Sequence, residues 1–231
     1  MSSSDPEAGV LELLRLPDLV TILNILFGFT AILLVLNRDT GGAIILILAA
    51  ALADGVDGAV ARRFESGVFG EHLDSFADAI SFGVAPAVIY YAIVSTAHHT
   101  IACAFSAAYL ICGVLRLVRF SILDVAEFRG IPITAAGAFA VMTLYLTDSP
   151  HLATGVFAVL SLLMVSNIPY PKVRSTPVLM LLTIVFALTI AAHCIGLYNW
   201  FAWLLVILLG MYVLTPLIGG GRIYAGRSQR S

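Results

Sequence analysis

Charge is what this sequence has least of: only 11% of its 231 residues are Asp, Glu, Lys or Arg. A typical soluble domain carries about 25%, so this chain lacks the polar surface needed to face water all round. The formal net charge of −2 leaves nothing to attract a nucleic acid. Cysteine is scarce too. Cys103, Cys112 and Cys194 fall in apolar runs with no metal-type spacing, which excludes a disulfide scaffold and makes them small buried hydrophobes. The histidines include no H-E-x-x-H pair. His98 and His99 read as an external loop, His151 and His193 as polar rings near span ends, and His72 as a solvated loop residue. Met1–Gly9 has no basic n-region and carries Asp5 and Glu7, so it is not expected to be a secretory signal.

What is present is apolar surface. Hydrophobic residues make up 60% of the chain and mean hydropathy is +1.01, which excludes disorder and collagen-like repeats. The expectation is an all-α, polytopic membrane bundle forming one domain over 1–231. Apolar runs occur at 19–36, 42–60, 73–95, 100–120, 134–147, 151–169, 177–195 and 200–218. A span needs about 20 apolar residues, so about eight transmembrane helices are expected. The fifth and sixth form a tight hairpin around Asp148-Ser149-Pro150.

The basic residues agree with that count. An eight-span chain places Arg15, Arg62, Arg63, Arg116, Arg119, Arg129, Lys172, Arg174, Arg222, Arg227 and Arg230 on one face, 11 of the 12 basic residues, and leaves only Arg38 on the other. The positive-inside rule then puts both termini in the cytoplasm of a multi-pass cell-membrane protein. Residues 1–18 are expected to be a cytoplasmic and interfacial segment, with Val10–Leu16 a short amphipathic helix before Pro17. Residues 19–147 would form the main part, 148–218 additional transmembrane helices, and 219–231 a mobile basic tail near anionic headgroups.

The acids are distributed unevenly. Four of 14 gather at the inner ends of adjacent spans: Asp54 and Asp57 closing the second, Asp74 and Asp78 opening the third. Spacings of i, i+3 and i, i+4 put each pair on one helix face, and a short loop lets the faces converge. Four anions at a membrane boundary cannot stay ionised without partners. Arg62 and Arg63 offset at most two, so hard divalent cations with a taste for oxygen, Mg²⁺ or Mn²⁺, are the natural counter-charge. Plainer readings stand beside this one. Asp-Gly pairs suggest turns in a soluble chain, Gly55 and Gly58 suit close helix packing, and Asp74 and Asp78 suit helix caps.

The stretch Asp54-x-x-Asp57-Gly58-x-x-Ala61-Arg62, then Gly70-x-x-x-Asp74-x-x-x-Asp78, resembles the signature of the CDP-alcohol phosphatidyltransferases at all eight fixed positions. Asp74 to Pro86, Leu16 to Asn24, and Arg116 to Phe120 followed by Arg129 to Pro132 resemble the serine-using branch, the phosphatidylserine and archaetidylserine synthases. The likeness covers about the first 140 residues. Three departures stand out: a spacer of seven residues between Arg62 and Gly70 where eight is usual, Asp18 in place of Asn, and Ser121 in place of Asn.

The resemblance implies an enzyme that transfers the phosphatidyl or archaetidyl group of CDP-diacylglycerol or CDP-archaeol to L-serine, releasing CMP at the cytoplasmic face. It implies two Mg²⁺ or Mn²⁺ ions held by Asp54, Asp57, Asp74 and Asp78, with Asp78 also the general base. Gly58, Arg62 and Gly70 would receive the CDP-lipid. Arg116 and Arg119 would bind phosphate and the serine carboxylate, although plain positive-inside anchoring explains them equally well. A homodimer is implied as well, for which Ala135, Ala136, Gly137 and Ala138 offer a small-residue contact. Rival readings are glycerol phosphate or inositol phosphate as acceptor within the family, an intramembrane prenyltransferase, and a membrane cation transporter. The prenyltransferases separate their acidic motifs widely, whereas 16 residues lie between Asp57 and Asp74 here. A transporter would carry its acids near the mid-membrane.

Overall fold

The computed structural model describes residues 9, 14–15, 18–61, 68–122, 128–171, 176–197 and 200–225, with the side chains of 56–61, 68, 128, 176–177 and 217–225 outside the description. Among the described residues the regular structure is all helical apart from one minimal β-ladder. Helices α1 (Asp18–Leu36), α2 (Thr40–Ala61) and α3 (Val68–Asp78) lead into a π-helical turn, Ala79–Val84. Then follow α4 (Ala85–Ile122), α5 (Ile133–Leu146), α6 (Pro150–Val165), α7 (Thr176–Cys194) and α8 (Trp200–Ala225). Strands β1 (Phe128–Arg129) and β2 (Pro169–Tyr170) pair antiparallel, joining the loops before α5 and after α6.

Local chemistry explains most boundaries. Between α1 and α2 the chain reverses at Arg38, whose φ is 66°, and Asp39 Oδ1 accepts the amide of Gly42 at 2.8 Å, an N-cap for α2. Ser149 caps α6 by accepting from Leu152 N, with Pro150 just inside the helix, where its missing N–H costs nothing. The α5–α6 hairpin around Asp148-Ser149-Pro150 therefore forms as expected. Gly130, at φ 78°, donates to Ile168 O at 2.8 Å and runs against the backbone of Met164, a position no side chain would tolerate.

Helix α4 is two arms. His98 leaves helical geometry (φ −144°, ψ 73°). Ser106 Oγ donates to Ala87 O at 3.1 Å and Tyr109 Oη to Phe82 O at 3.1 Å. Those pairs are nearly symmetric about the break, so the arms run antiparallel. With the break, helical segments match the eight apolar runs in order. Among the described residues two helical stretches, Asp18–Leu36 and Phe69–Ile122, are long and apolar enough to cross a membrane; Thr40–Gly55, Ile133–Leu146, Pro150–Val165, Val178–Cys194 and Trp200–Pro216 are apolar but shorter.

Helix α5 is the centre of the bundle. Ile133, Ala136, Gly137, Ala138, Ala140, Val141 and Met142 are all buried, packed among α2, α4, α6, α8 and the π turn. A Cβ on Gly137 would stand 2.9 Å from Phe82 Cβ, so the small-residue patch is what lets α5 close onto the π turn. Ala136, Gly137 and Ala138 of that patch are buried within the chain.

Several expectations change. Cys103 and Cys194 are exposed and Cys112 is half-buried, not buried as expected. The outward helix faces carry Leu, Ile, Phe and Trp as freely as the core does, so an apolar run does not tell inside from outside. Helix α8 continues through 219–225, into the stretch expected to be a mobile tail. His72 is exposed, but on α3 and not in a loop; His98 sits at the α4 break with its ring 5.3 Å from that of His151. Most of the Val10–Leu16 segment lies outside the described residues.

Candidate active site

Asp54 lies well inside α2, which continues to Ala61, and Asp74 and Asp78 lie on one face of α3. The Asp-Gly pairs are thus helical, not turns, and Asp74 sits too far from the start of its helix to cap it. What the three acids do is converge. One carboxylate oxygen from each of Asp54, Asp74 and Asp78 lies within 4.8 Å of the others, and all three side chains are half-buried. Asp57 follows Asp54 by one helical turn in α2, with its side chain outside the described set. Arg62 lies outside the described residues altogether, and Gly58 is described only as helical backbone.

Helix α3 is held by the elements around it. Gly70 lets α1 come close: a Cβ there would stand 2.5 Å from Asp18 Oδ1, while Asp18 Oδ2 accepts the amide of Arg15 at 2.7 Å. On its far side α3 runs directly into the π turn, a geometry that leaves backbone groups needing other partners. Tyr109 supplies one by donating to Phe82 O, and Ser81 Oγ donates across to Asn24 O at 2.8 Å. Asp18, Thr21 and Asn24 form a buried polar stripe on α1 facing this region, at 6%, 3% and 1% exposure. The stripe has a sequence signal, polar residues at i, i+3 and i+6 in an apolar run.

Two spaces open from the carboxylates. A polar cavity of about 380 Å³ is lined by Asp74, Asp78, Glu71, His72, Ser75 and Arg116, among others. Arg116 is buried at 7% exposure, its guanidinium 5.9 Å from the centre of the Phe120 ring. An apolar groove of about 550 Å³ runs between α2, α5, α7 and α8, with Leu52, Ala138, Leu182, Phe186, Leu209 and Tyr212 in its walls and Asp54 at its polar end. Pro132 and Thr134 line both spaces. Thr134 Oγ1 donates to Asp54 Oδ2 at 3.1 Å. Nothing in the sequence singled out Thr134, a small polar residue within an apolar run.

Arg119 does not line the polar cavity. It points to the loop after α6, donating from Nη1 to Ser166 O at 3.1 Å and from Nη2 to Asn167 Oδ1 at 2.8 Å. The two arginines, alike in sequence, are thus put to different uses.

The donor set is entirely carboxylate oxygen, which suits hard divalent cations and not zinc or copper, which favour nitrogen and sulfur. Three clustered half-buried anions fit a site whose charge is balanced by such a cation.

A model of the CDP-alcohol phosphatidyltransferase family matches residues 14–189, most of the chain. An archaetidylserine synthase of Methanothermobacter thermautotrophicus is 38% identical over 171 residues, 71% of this chain and 72% of that protein. A CDP-diacylglycerol–serine O-phosphatidyltransferase of Methanocaldococcus jannaschii is 34% identical over 214 residues, 92% of this chain and 98% of its own. A protein of the same description from Helicobacter pylori is 37% identical over 186 residues, covering 74% and 78%.

Proposed function

The chain belongs to the CDP-alcohol phosphatidyltransferase family, and we propose that within it the protein transfers the phosphatidyl or archaetidyl group of a CDP-linked lipid to L-serine. The serine hydroxyl oxygen would form a bond to the lipid-side phosphorus. The bond from that phosphorus to the bridging oxygen would break, and CMP would leave with the electron pair. The hydroxyl proton would pass to Asp78 and on to solvent.

The observation that carries this reading is the convergence of Asp54, Asp74 and Asp78 where a polar cavity meets an apolar groove. The groove supplies apolar walls for a lipid chain, and the cavity supplies charge for the water-soluble substrates. Asp54, Asp57, Asp74 and Asp78 would hold two Mg²⁺ or Mn²⁺ ions. When bound, such ions screen diphosphate charge and acidify a coordinated hydroxyl. Gly58 and Arg62 would receive the cytidine diphosphate, with Gly70 keeping α3 close to α1. Arg116 would pair with an anionic group of the substrates.

The cavity also favours serine over a phosphorylated acceptor. Besides the aspartates it holds Glu71, an exposed carboxylate, opposite in charge to Arg116. A zwitterionic amino acid needs one partner of each sign; glycerol phosphate and inositol phosphate bring only anionic charge.

For the bilayer, the reading is eight spans with both termini, and the carboxylates, on the cytoplasmic side. The eight helical segments and the 11-to-1 division of basic residues support it.

The test is CMP release from CDP-diacylglycerol and CDP-archaeol by the purified protein with Mn²⁺ or Mg²⁺ and a panel of acceptors. Release dependent on L-serine and abolished in Asp78→Asn is expected. Release with glycerol phosphate or inositol phosphate instead would overturn the serine reading, and release surviving Asp78→Asn would overturn the base.

A further inference from the structure

We propose that Thr134 is a positioning residue that sets the orientation of Asp54 for cation binding, so that the carboxylate cluster is completed by a neutral hydroxyl from the central helix. The inference rests on the metal-binding reading above. Asp54 differs from its partners: it comes from α2, whereas Asp74 and Asp78 share one face of α3. Two acids on one helix keep their spacing through that helix. Asp54 needs its own constraint to stay in register with them.

Thr134 supplies it. Its hydroxyl donates to Asp54 Oδ2 at 3.1 Å from the first turn of α5, the helix most enclosed by the bundle. A hydroxyl that donates to one carboxylate oxygen limits rotation about the Cβ–Cγ bond while leaving the carboxylate its full negative charge. An Arg or Lys in the same place would fix the carboxylate equally well but would cancel the charge that draws a cation. The position matters too. Asp54 lines the apolar groove, Asp74 and Asp78 line the polar cavity, and Thr134 lines both. The hydrogen bond therefore lies on the boundary across which the three carboxylates must meet. The β-branch helps, because a Thr side chain in a helix has few rotamers and its hydroxyl stays where the backbone puts it.

The test measures Mn²⁺ itself. Full-length protein in detergent is titrated with Mn²⁺, free ion being followed by electron paramagnetic resonance, for wild type, Thr134→Val, Thr134→Ser and Asp78→Asn. Removing a partner that orients a metal ligand weakens binding roughly 10- to 100-fold. Thr134→Val is expected to lose at least about tenfold in Mn²⁺ affinity. Thr134→Ser should recover most of it. Should Thr134→Val not fold, Thr134→Ala against Thr134→Ser makes the same comparison. Wild-type Mn²⁺ affinity in Thr134→Val or Thr134→Ala overturns the positioning role while leaving the metal reading intact. Failure of wild type to bind Mn²⁺, or binding undiminished in Asp78→Asn, overturns the metal reading and this inference with it.

Discussion

Replacing Gly28 by Ala adds one methyl group where α1 presses on the π turn, and its effect can be worked through from the geometry. The new Cβ would stand 2.7 Å from Ser81 Cα and 2.9 Å from Ser81 Cβ, while ordinary contact begins at 3.4 Å. Ser81 Oγ is nearer still and can turn aside, but the Cα is backbone and cannot swing away as a side-chain tip can. The two segments must part by about 0.7 Å at Cα, in an interior packed as densely as an organic crystal. Overpacking of this kind costs about 1–3 kcal/mol. The hydrogen bond from Ser81 Oγ to Asn24 O, 2.8 Å long, is strained at the same time. Ser81 lies three residues past Asp78, so the shift is passed to the carboxylate cluster. A misplacement of about 1 Å can cost 10²-fold in rate, and a drop of roughly 10- to 100-fold in CMP release is expected here. The control is Gly155→Ala in α6, where an added Cβ meets nothing within 4 Å. That variant should gain about 0.5–1 kcal/mol from helix propensity and keep wild-type activity. Thermal unfolding followed by tryptophan fluorescence, run beside the CMP assay, measures both quantities. Wild-type stability and activity in Gly28→Ala would refute the claim that close approach of α1 sets the position of Asp78.

Three further outcomes are expected. Glu71→Gln should raise the KM for serine about tenfold, the loss of one charge-assisted contact, while leaving the KM for CDP-lipid in place; equal KM changes for both substrates would count against Glu71 as ammonium partner. Arg119→Lys breaks the fork onto Ser166 O and Asn167 Oδ1 and should lower stability by about 1 kcal/mol with little change in serine KM; a large rise in serine KM with stability intact would restore the acceptor-binding role. Leu182→Trp narrows the apolar groove and should raise the KM for CDP-lipid about tenfold or more without altering Mn²⁺ affinity; an unchanged KM would move the lipid chain elsewhere.

Much of the architecture was legible because it follows from local chemistry. The eight apolar runs, the α5–α6 hairpin and the break between 95 and 100 are written in hydropathy and in Pro and Ser placement. The acidic motif was legible through spacing, since i, i+4 on one helix puts Asp74 and Asp78 on a common face whatever the rest of the chain does. Other features were misread for a definite reason. Cys103 and Cys194 were assigned to the interior, but a membrane helix is apolar on both its protein-facing and outward faces, and composition cannot choose between them. Small residues at 135–138 permit close helix contact without saying with what; at Gly137 the neighbour is Phe82, more than 50 residues earlier in the chain.

The sequence by itself determined the class of solvent around the chain, the positions of its helical segments, and the family and acidic set that define its chemistry. Each is a property of one stretch of chain: how apolar it is, and which residue types recur at which spacing. Tertiary structure alone decided which polar groups meet. It brought Asp54 to Asp74 and Asp78, gave Asp54 a hydrogen bond from Thr134, buried Arg116 at the cavity, and turned Arg119 away to a loop. Those outcomes depend on how α1 to α5 and the π turn pack, through close contacts at Gly28, Gly70 and Gly137. A side chain's role in this bundle is set by what lies across the helix interface, and that neighbour is distant in sequence.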